Sequence, residues 1–271
     1  MTNVPPGLVL WEHPLSPYAQ KVKIALREKG VAFEARTPMG VGSGGAPEGF
    51  AQASPFLEVP SLILEDGYSI FDSTIMLEYL EEAYPTPELL PHNPKLAAKA
   101  RMIEEVMDTR YEAINWALAE IRAFKRAEGE KAAALEARAK EQLEGLHVWL
   151  GRQLTHDWFC PPHFGWADLS VVPYVAAAAG MGNGPAANSP LGQWLARAID
   201  RPSVAATLAE ARAIGANLAA SLEGARQAVA AGLFKRQYRD HRLEWMMRSG
   251  GVDIVLDGLK AGNIRFSTEL A

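Results

Sequence analysis

Short apolar runs and one helical repeat alternate through the first part of the chain. Leu8-Val9-Leu10-Trp11 is an apolar run of the kind found in buried strands. Ser16-Pro17 then favours the start of a helix, with Ser16 as the N-cap and Pro17 at the first helical position. A second strand is predicted at 31–36, and a strand-helix-strand unit would make it parallel to the first.

A hairpin and a further helix follow in the same part of the chain. Asp66-Gly67 is a strong hairpin signal, with strands expected at 61–65 and 68–71. Ser73 opens a helical pattern of apolar residues that continues to Ala83. The segment Met39 to Ala46 contains four glycines and is predicted to be a loop. We therefore expect a small α/β domain in residues 1–85.

The rest of the chain is helical in pattern. Four prolines between Pro85 and Pro94 exclude a regular element, so residues 86–94 are predicted to be a linker. Amphipathic segments predict helices at about 95–127, 130–154, 167–179, 191–200 and 203–230. We expect an all-helical domain at 95–215. A C-terminal extension at 216–271 is expected to hold two short helices joined by Gly250-Gly251.

Composition narrows the class of protein. The chain has 271 residues, 48% of them hydrophobic, and a formal net charge of −5, which provides no basic surface for nucleic acid or an anionic membrane. The longest apolar run, 171–181, is interrupted by Pro173 and is shorter than the roughly 18 residues that span a bilayer. Met1 to Pro6 carries no basic residue of a secretory signal. A cytoplasmic protein without nucleic-acid or membrane partners is expected.

Cysteine and histidine usage argues against a metal site. Cys160 is the one cysteine, which excludes an internal disulfide framework and a multi-cysteine zinc site. His156, Asp157, Cys160 and His163 are residue types that suit zinc, but Pro161-Pro162 among them favours a structural connector. We expect no metal.

Three positions suggest a site, each with a structural alternative. Pro60 directly before a strand is either an edge-strand proline or a cis turn that leaves the Val59 backbone free to pair with an extended peptide. Ser16 either caps its helix or holds an anion such as a thiolate at the positive end of the helix dipole. In Asp72-Ser73, one residue caps the next helix, or the pair holds a carboxylate and an ammonium group.

The order and spacing of five segments resemble the glutathione transferase superfamily, cytosolic type. The segments are Ser16-Pro17-Tyr18-Ala19-Gln20-Lys21-Val22, Ser54-Pro55-Phe56-Leu57-Glu58-Val59-Pro60, Asp72-Ser73-Thr74-Ile75-Met76-Leu77-Glu78-Tyr79-Leu80, Phe164-Gly165-Trp166-Ala167-Asp168 with Pro173, and Arg201-Pro202-Ser203-Val204. The resemblance covers about residues 7–210. It implies a thioredoxin-like α/β N-terminal domain, an all-α C-terminal domain and a homodimer.

The resemblance also implies roles for individual residues. Ser16 falls at the catalytic position, where it would stabilise the thiolate of glutathione, the co-substrate. Val59 would pair with the cysteinyl part of glutathione beside a cis Pro60, and Asp72 and Ser73 would hold the γ-glutamyl end. A serine cannot form a mixed disulfide, so Ser16 favours conjugation over thiol transfer.

Several positions depart from the superfamily pattern. Ser54 replaces an asparagine, Leu57-Glu58 replaces a common Gly-Lys pair, and Gly165 replaces a capping serine or threonine. Glycine fills that capping role at a cost of only a few tenths of a kcal/mol.

An electrophile pocket is expected between the two domains. Its candidate lining residues are Asp108, Arg110, Tyr111, Asn115 and Trp116, together with Tyr18 near the catalytic position. Tyr111 is the preferred one because a phenol can donate a proton to a departing anion. The C-terminal extension is expected to cover this pocket or to extend the dimer contact.

The function predicted is that of a glutathione transferase acting on a small hydrophobic electrophile. Isomerisation, dehalogenation and ether cleavage on the same scaffold would use the same thiolate, and they remain alternative predictions. A non-catalytic relative that binds a protein partner is the alternative from another class, and fold alone does not decide between them.

Overall fold

The computed structural model of the chain describes residues 7–38, 47–216 and 218–266. The glycine-rich loop predicted at 39–46 lies outside the described residues. Within them, a sheet domain is followed by a helical domain and by a C-terminal extension that contacts both.

The sheet domain follows the predicted order of elements. These are β1 (Leu8–Trp11), α1 (Pro17–Glu28), β2 (Phe33–Arg36), α2 (Glu48–Ala53), β3 (Ser61–Ile63), β4 (Ser69–Phe71) and α3 (Ser73–Ala83). The strand order is β2-β1-β3-β4, with β1 parallel to β2 and antiparallel to β3. The strand-helix-strand unit, the hairpin and the helix at Ser73 are confirmed. The short helix α2 is an addition that the sequence pattern does not predict.

Helices cover both faces of the central strand. Leu8 and Leu10 of β1 belong to the main core, which also includes buried residues of α1 and α3. Trp11 points to the other face, where it packs against Phe50 of α2 with the two ring centroids 5.5 Å apart. Burial on both sides explains why β1 is apolar throughout instead of alternating.

The helical domain follows the predicted order of helices, with one irregular turn inside its first helical segment. Its helices are α4 (Pro94–Val106), α5 (Glu112–Arg122), α6 (Gly129–Gln153), α7 (Trp166–Gly180), α8 (Pro190–Ile199), α9 (Pro202–Ala216) and α10 (Leu218–Ala230). The helix expected at 95–127 is present as one continuous helical segment from Pro94 to Arg122, in which a π-helical turn at Met107–Tyr111 lies between α4 and α5. The fold class, a thioredoxin-like α/β domain followed by an all-helical domain, is confirmed.

The C-terminal extension holds the two expected helices and a small ladder. Helices α11 (Asp240–Ser249) and α12 (Val252–Lys260) meet at Gly250, whose φ of 95° is the left-handed conformation that favours glycine at a helix end. Strands β5 (Arg236–Gln237) and β6 (Ile264–Arg265) pair in parallel. This ladder ties the segment just before α11 to the described end of the extension.

Gly165 precedes α7 for a steric reason. A Cβ at this position would lie 2.4 Å from the carbonyl oxygen of Leu89, the same oxygen that accepts a hydrogen bond from the Trp166 amide. Serine or threonine would therefore collide with the chain that enters the helical domain. Asp168 provides the cap instead, because its carboxylate accepts a hydrogen bond from the Gly165 amide at 3.1 Å.

Two further expectations concern membranes and metals. In the ranges that the structure describes, every helix is too short or too polar to span a bilayer. Cys160 is buried, and its thiol donates to the carbonyl of Leu96 at 3.7 Å. In the same ranges, no three histidine, cysteine or acidic side chains are grouped so as to hold a metal ion.

Candidate functional site

A cleft of about 310 Å³ lies where the sheet domain, the helical domain and the extension meet. The sheet domain contributes a set of polar and aromatic residues, namely Tyr18, Ser54, Phe56, Glu58, Val59, Pro60, Phe71, Asp72, Ser73 and Thr74. The helical domain and the extension contribute Glu105, Asp108, Thr109, Arg239, Asp240 and His241. A cleft of this size between domains is typical of a small-molecule site.

Val59 presents its backbone to this cleft. The Val59-Pro60 peptide bond is cis. Among the described residues, neither the amide nor the carbonyl of Val59 has a hydrogen-bond partner. The Ser54 hydroxyl fixes the preceding turn, since it accepts from the Glu58 amide at 3.0 Å and donates to the Glu58 carbonyl at 2.8 Å. Ser54, which departs from the superfamily pattern, thus orients the segment that ends at Val59.

Asp72 and Ser73 face the same cleft at the start of α3. Asp72 is the N-cap: its Oδ1 accepts from the amides of Thr74 at 2.9 Å and Ile75 at 3.3 Å. Its φ of 73° is uncommon for a residue other than glycine, and such strain is concentrated at functional sites. Oδ2 of Asp72 and the hydroxyl of Ser73 have no hydrogen-bond partner among the described residues.

Ser16 caps α1 as predicted but does not belong to the described lining of the cleft. Its Oγ accepts a long hydrogen bond of 3.3 Å from the amide of Ala19. Within the described chain, the hydroxyl proton of Ser16 has no acceptor.

Tyr18 lines the cleft, as expected, and is already hydrogen-bonded. Its hydroxyl donates to the carbonyl oxygen of Asp108 at 2.7 Å and lies 3.5 Å from Nε2 of His241. Burial, with the nearby Glu112 carboxylate, raises the pKa of Tyr18 well above 10. The phenol is therefore neutral at pH 7, and its single proton is donated to the carbonyl oxygen of Asp108.

The predicted positions of Tyr111 and Trp116 in the pocket are wrong. The Tyr111 side chain is fully buried in the helical core, where its hydroxyl lies 2.8 Å from Nε2 of His147. Trp116 is covered by the extension: its ring packs edge-on against Tyr238, with 4.6 Å between centroids, and the Arg242 guanidinium lies 5.2 Å from it. Glu105, Asp108 and Thr109, which share one helical face at intervals of three and four residues, line the cleft instead.

A buried polar network beneath the cleft joins the two domains. Nζ of Lys21, which is fully buried, lies 2.5 Å from both Oε1 of Glu104 and Oδ2 of Asp108. The indole of Trp166 donates to the other Glu104 oxygen at 2.5 Å, and the Tyr174 hydroxyl donates to Asp108 at 2.7 Å. Burial opposes a charged lysine, but the two carboxylates outweigh it and raise the pKa of Lys21 above 10.5.

The position of Lys21 in the sequence of α1 could have indicated this network. Lys21 shares a helical face with Tyr18, Val22 and Ala25, at intervals of three and four residues. A lysine on a face that is otherwise apolar is expected to find carboxylate partners. Burial also raises the pKa of Asp108 above its ordinary 3.8, although Lys21 opposes that shift.

The extension supplies cleft-lining residues that sequence reasoning missed. Arg239, Asp240 and His241 line the cleft at the start of α11. Arg242 anchors this segment, with its guanidinium donating to Glu112 at 2.5 and 3.1 Å. Gln237 makes a second anchor by donating to Oε1 of Glu58 at 2.5 Å. The expectation that the extension covers the pocket therefore agrees with the position of α11, but its residues carry no local sequence signal for this.

Comparisons with known proteins were consistent with this geometry. The family model for the glutathione S-transferase N-terminal domain matches residues 10–88. A stringent starvation protein A homolog of Haemophilus influenzae is 32% identical over 156 residues, which are 58% of this chain and 68% of that protein. The GST-like protein YibF of Escherichia coli is 38% identical over 93 residues, 34% of this chain, and is matched over 45% of its own length.

Solved structures extend the likeness over both domains. A glutathione S-transferase of Methylobacterium radiotolerans, in complex with glutathione sulfonate, is 28% identical with a TM-score of 0.60. The match covers 74% of this chain and 93% of that one. The unmatched quarter of this chain is of a length comparable to the C-terminal extension.

Proposed function

Since the chain belongs to the glutathione transferase superfamily, we propose that its cleft binds glutathione and that the bound thiolate attacks a small hydrophobic electrophile. The observation that carries this proposal is that the Val59 backbone, which has no hydrogen-bond partner among the described residues, meets Asp72 and Ser73 in one cleft. A tripeptide that carries charged ends and an extended backbone requires both features. We place the reaction in the cytoplasm, where free thiols are kept reduced.

The two binding elements suit different parts of the tripeptide. The Val59 amide and carbonyl would pair with the cysteinyl residue as an added strand. The Ser73 hydroxyl and the N-terminal end of α3 would receive the γ-glutamyl carboxylate. The free Oδ2 of Asp72 would then receive the adjacent ammonium group, while Oδ1 continues to cap the helix.

Ser16 is the residue we propose for thiol activation. A thiol with a pKa near 8.5 is only about 3% ionised at pH 7. One hydrogen bond to the thiolate, worth about 1.5–3 kcal/mol, lowers the thiol pKa by roughly one to two. The Ser16 hydroxyl proton has no acceptor in the described chain, whereas the Tyr18 proton is donated to Asp108. This difference favours Ser16 over Tyr18.

The test combines calorimetry of glutathione binding with an ultraviolet difference spectrum of the thiolate. The wild-type protein is expected to bind glutathione and to show the thiolate band. Ser16→Ala is expected to bind but to lose the band, with turnover at pH 7 reduced by about eight- to twenty-fivefold, the ratio of the thiolate fractions for a pKa change of one to two from 8.5. Tyr18→Phe is the matched control, since it removes the other hydroxyl near α1 and is expected to keep the band.

Two results would contradict parts of this proposal. A Ser16→Ala variant with an unchanged band and turnover would move thiol activation to another residue. No binding by the wild-type protein at millimolar glutathione would refute the glutathione site as a whole.

A second candidate function is a protein-binding module. It is favoured by Val252, Leu256 and Leu259, which follow one another at helical spacing on α12 and are 36–51% exposed. Ser16, which lies outside the described lining, gives this candidate further support. Failure of glutathione binding in the test above is the outcome that would favour it.

We also propose that the protein forms a homodimer. Tyr68, Phe71, Ile75 and Met102 are large apolar side chains with 40–66% of their surface exposed. They lie on the hairpin, α3 and α4, and an ion pair between Arg101 and Glu78 connects the two helices at 2.6 Å. Association of two copies through this face would cover them.

A further inference from the structure

The cleft is acidic, whereas the ligand proposed for it is an anion. Five described residues of the lining carry carboxylates: Glu58, Asp72, Glu105, Asp108 and Asp240. Arg239 is the only lysine or arginine among the described lining residues. Glutathione carries two carboxylates and one ammonium group at pH 7, and its thiolate adds a further negative charge. An anionic tripeptide in this cleft requires a cation, and Arg239 is positioned to be one.

The Arg239 side chain is partly buried and keeps its donors available. Its guanidinium lies 5.6 Å from the centroid of the Tyr18 ring. Nη1 is 3.7 Å from Oε2 of Glu58, which is beyond hydrogen-bond distance, and 33% of the side chain is exposed. In the described parts of the chain, none of its N–H groups makes a hydrogen bond. Arg242, one turn later, is the opposite case, because Glu112 and the carbonyl of Gln237 occupy its donors.

The segment that carries Arg239 is fastened on both sides. Gln237 is hydrogen-bonded to Glu58, and Arg242 is paired with the buried Glu112. Although burial opposes ionisation of Glu112, Arg242 and His241 hold its pKa at about 2. A guanidinium on such a rigid base loses little conformational entropy when it binds an anion.

The position of Arg239 identifies the carboxylate that it would bind. Its guanidinium lies near Glu58 and Tyr18, and it makes no ion pair or hydrogen bond with Asp72 or Ser73. If the γ-glutamyl end lies at Asp72 and the cysteine at Val59, the glycine end continues past Val59, away from Asp72. Glu58 directly precedes Val59 in the chain, so Arg239 lies beside this continuation.

We propose that Arg239 binds the glycine carboxylate of glutathione, so that the C-terminal extension completes the glutathione site. This inference rests on the proposed function, since it assigns one end of the same ligand. It also gives the extension a role in binding: Arg239 supplies a positive charge at the segment where Glu58 stands in place of the lysine common in the superfamily.

The experiment compares glutathione with its glycine monoethyl ester by calorimetry. The ester removes only the negative charge of the glycine end. The wild-type protein is expected to bind glutathione about tenfold or more tighter than the ester, as for a charge-assisted pair. Arg239→Gln is expected to weaken glutathione binding to the level of the ester and to leave ester binding unchanged. Arg239→Lys, which keeps the charge, is expected to retain part of the discrimination.

The matched control is Arg248→Gln. Arg248 lies on the same helix, is paired only with Glu244 on the surface, and loses the same charge. This control is expected to discriminate between the two ligands as the wild-type protein does.

The possible failures are distinguishable. No binding of either ligand by the wild-type protein would overturn the proposed function and this inference together. Equal binding of the acid and the ester by the wild-type protein would overturn this inference alone, without the need for any variant. If Arg239→Gln still distinguished glutathione from the ester as well as the wild-type protein does, the inference would also be overturned, because another residue would then bind the carboxylate.

Discussion

The attachment of α11 to the helical domain depends on one buried carboxylate, and its removal gives a quantitative prediction. Glu112 has a side chain that is 5% exposed. It accepts hydrogen bonds from Arg242 at 2.5 Å and from Nε2 of His241 at 2.9 Å. Glu112→Gln keeps the shape and removes the charge, and it therefore imitates the protonated carboxyl group.

The magnitude follows from the pKa of this carboxyl group. A decrease from an ordinary 4.5 to about 2, against the effect of burial, corresponds to roughly 3 kcal/mol of stability for the ionised form. The folded-state pKa is depressed, so this contribution is complete above the unfolded pKa of about 4.5. It is lost as the pH falls toward about 2, and at pH 3 roughly half of it remains.

Hydrogen exchange of the amides in 240–249 measures this contribution where it acts. At pH 7, we expect Glu112→Gln to lower the free energy of opening of α11 by about 3 kcal/mol, equivalent to more than about hundredfold faster exchange. At pH 3, the difference from the wild-type protein should be about half as large in free energy. The matched control is Glu141→Gln, which removes an exposed pair with Arg138 and should change exchange in α11 little.

The reasoning would be refuted by wild-type protection of α11 in Glu112→Gln at pH 7. A difference that stays constant between pH 7 and pH 3 would also contradict it, because the linkage to Glu112 ionisation requires a decrease.

Two further predictions concern the domain contact and the dimer. Lys21→Met leaves the carboxylates of Glu104 and Asp108 buried without their cation and should cost about 3–5 kcal/mol in urea unfolding at pH 7. Part of this loss should be recovered at pH 5, because burial raises the pKa of Asp108 and its carboxyl group accepts a proton more readily at the lower pH. A loss below about 1 kcal/mol at pH 7 would contradict the assigned role. Met102→Asp places a charge on the exposed apolar face of α4 and should halve the mass measured by light scattering, whereas an unchanged dimer would exclude this face.

The elements that sequence predicts correctly are those with local signals. Ser16-Pro17 starts α1 because the cap and the first-turn proline satisfy backbone groups within four residues. Asp66-Gly67 sets the hairpin because the turn alone fixes its register. Asp72 caps α3 by the same local logic. Of the candidate residues that face the cleft from the sheet domain, Tyr18, Asp72 and Ser73 are attached to such signals.

The errors arise where the structure depends on distant residues. Tyr111 has the chemistry of a pocket residue, but it packs beside His147 and Tyr174 in the helical core, and its own sequence neighbourhood does not reveal these contacts. From its local sequence, Trp116 is an aromatic side chain on an amphipathic helix. It is covered by Tyr238, which lies more than 120 positions later in the chain, so the local pattern does not predict its burial. Arg239 lies in a locally basic segment that is typical of a solvated surface. Its approach to the cleft follows from tertiary packing.

Glu58 illustrates how such a distant contact explains a local departure from the superfamily pattern. Its carboxylate accepts from Gln237 and lies near Arg239, two residues of the extension about 180 positions away. Glu58 and Arg239 are both partly exposed, so we assign about 1 kcal/mol to the hydrogen bond between Gln237 and Glu58 and less to the ion pair between Arg239 and Glu58.

Glu58→Lys should therefore accelerate exchange of the amides in 236–242 by about tenfold, and adding Arg239→Glu should reverse part of this change. Glu65→Lys, the same charge reversal at an exposed hairpin position, is the control. If Glu58→Lys exchanged like the wild-type protein, Glu58 would not fasten the extension, and its replacement of the common lysine would have to be explained at the ligand instead.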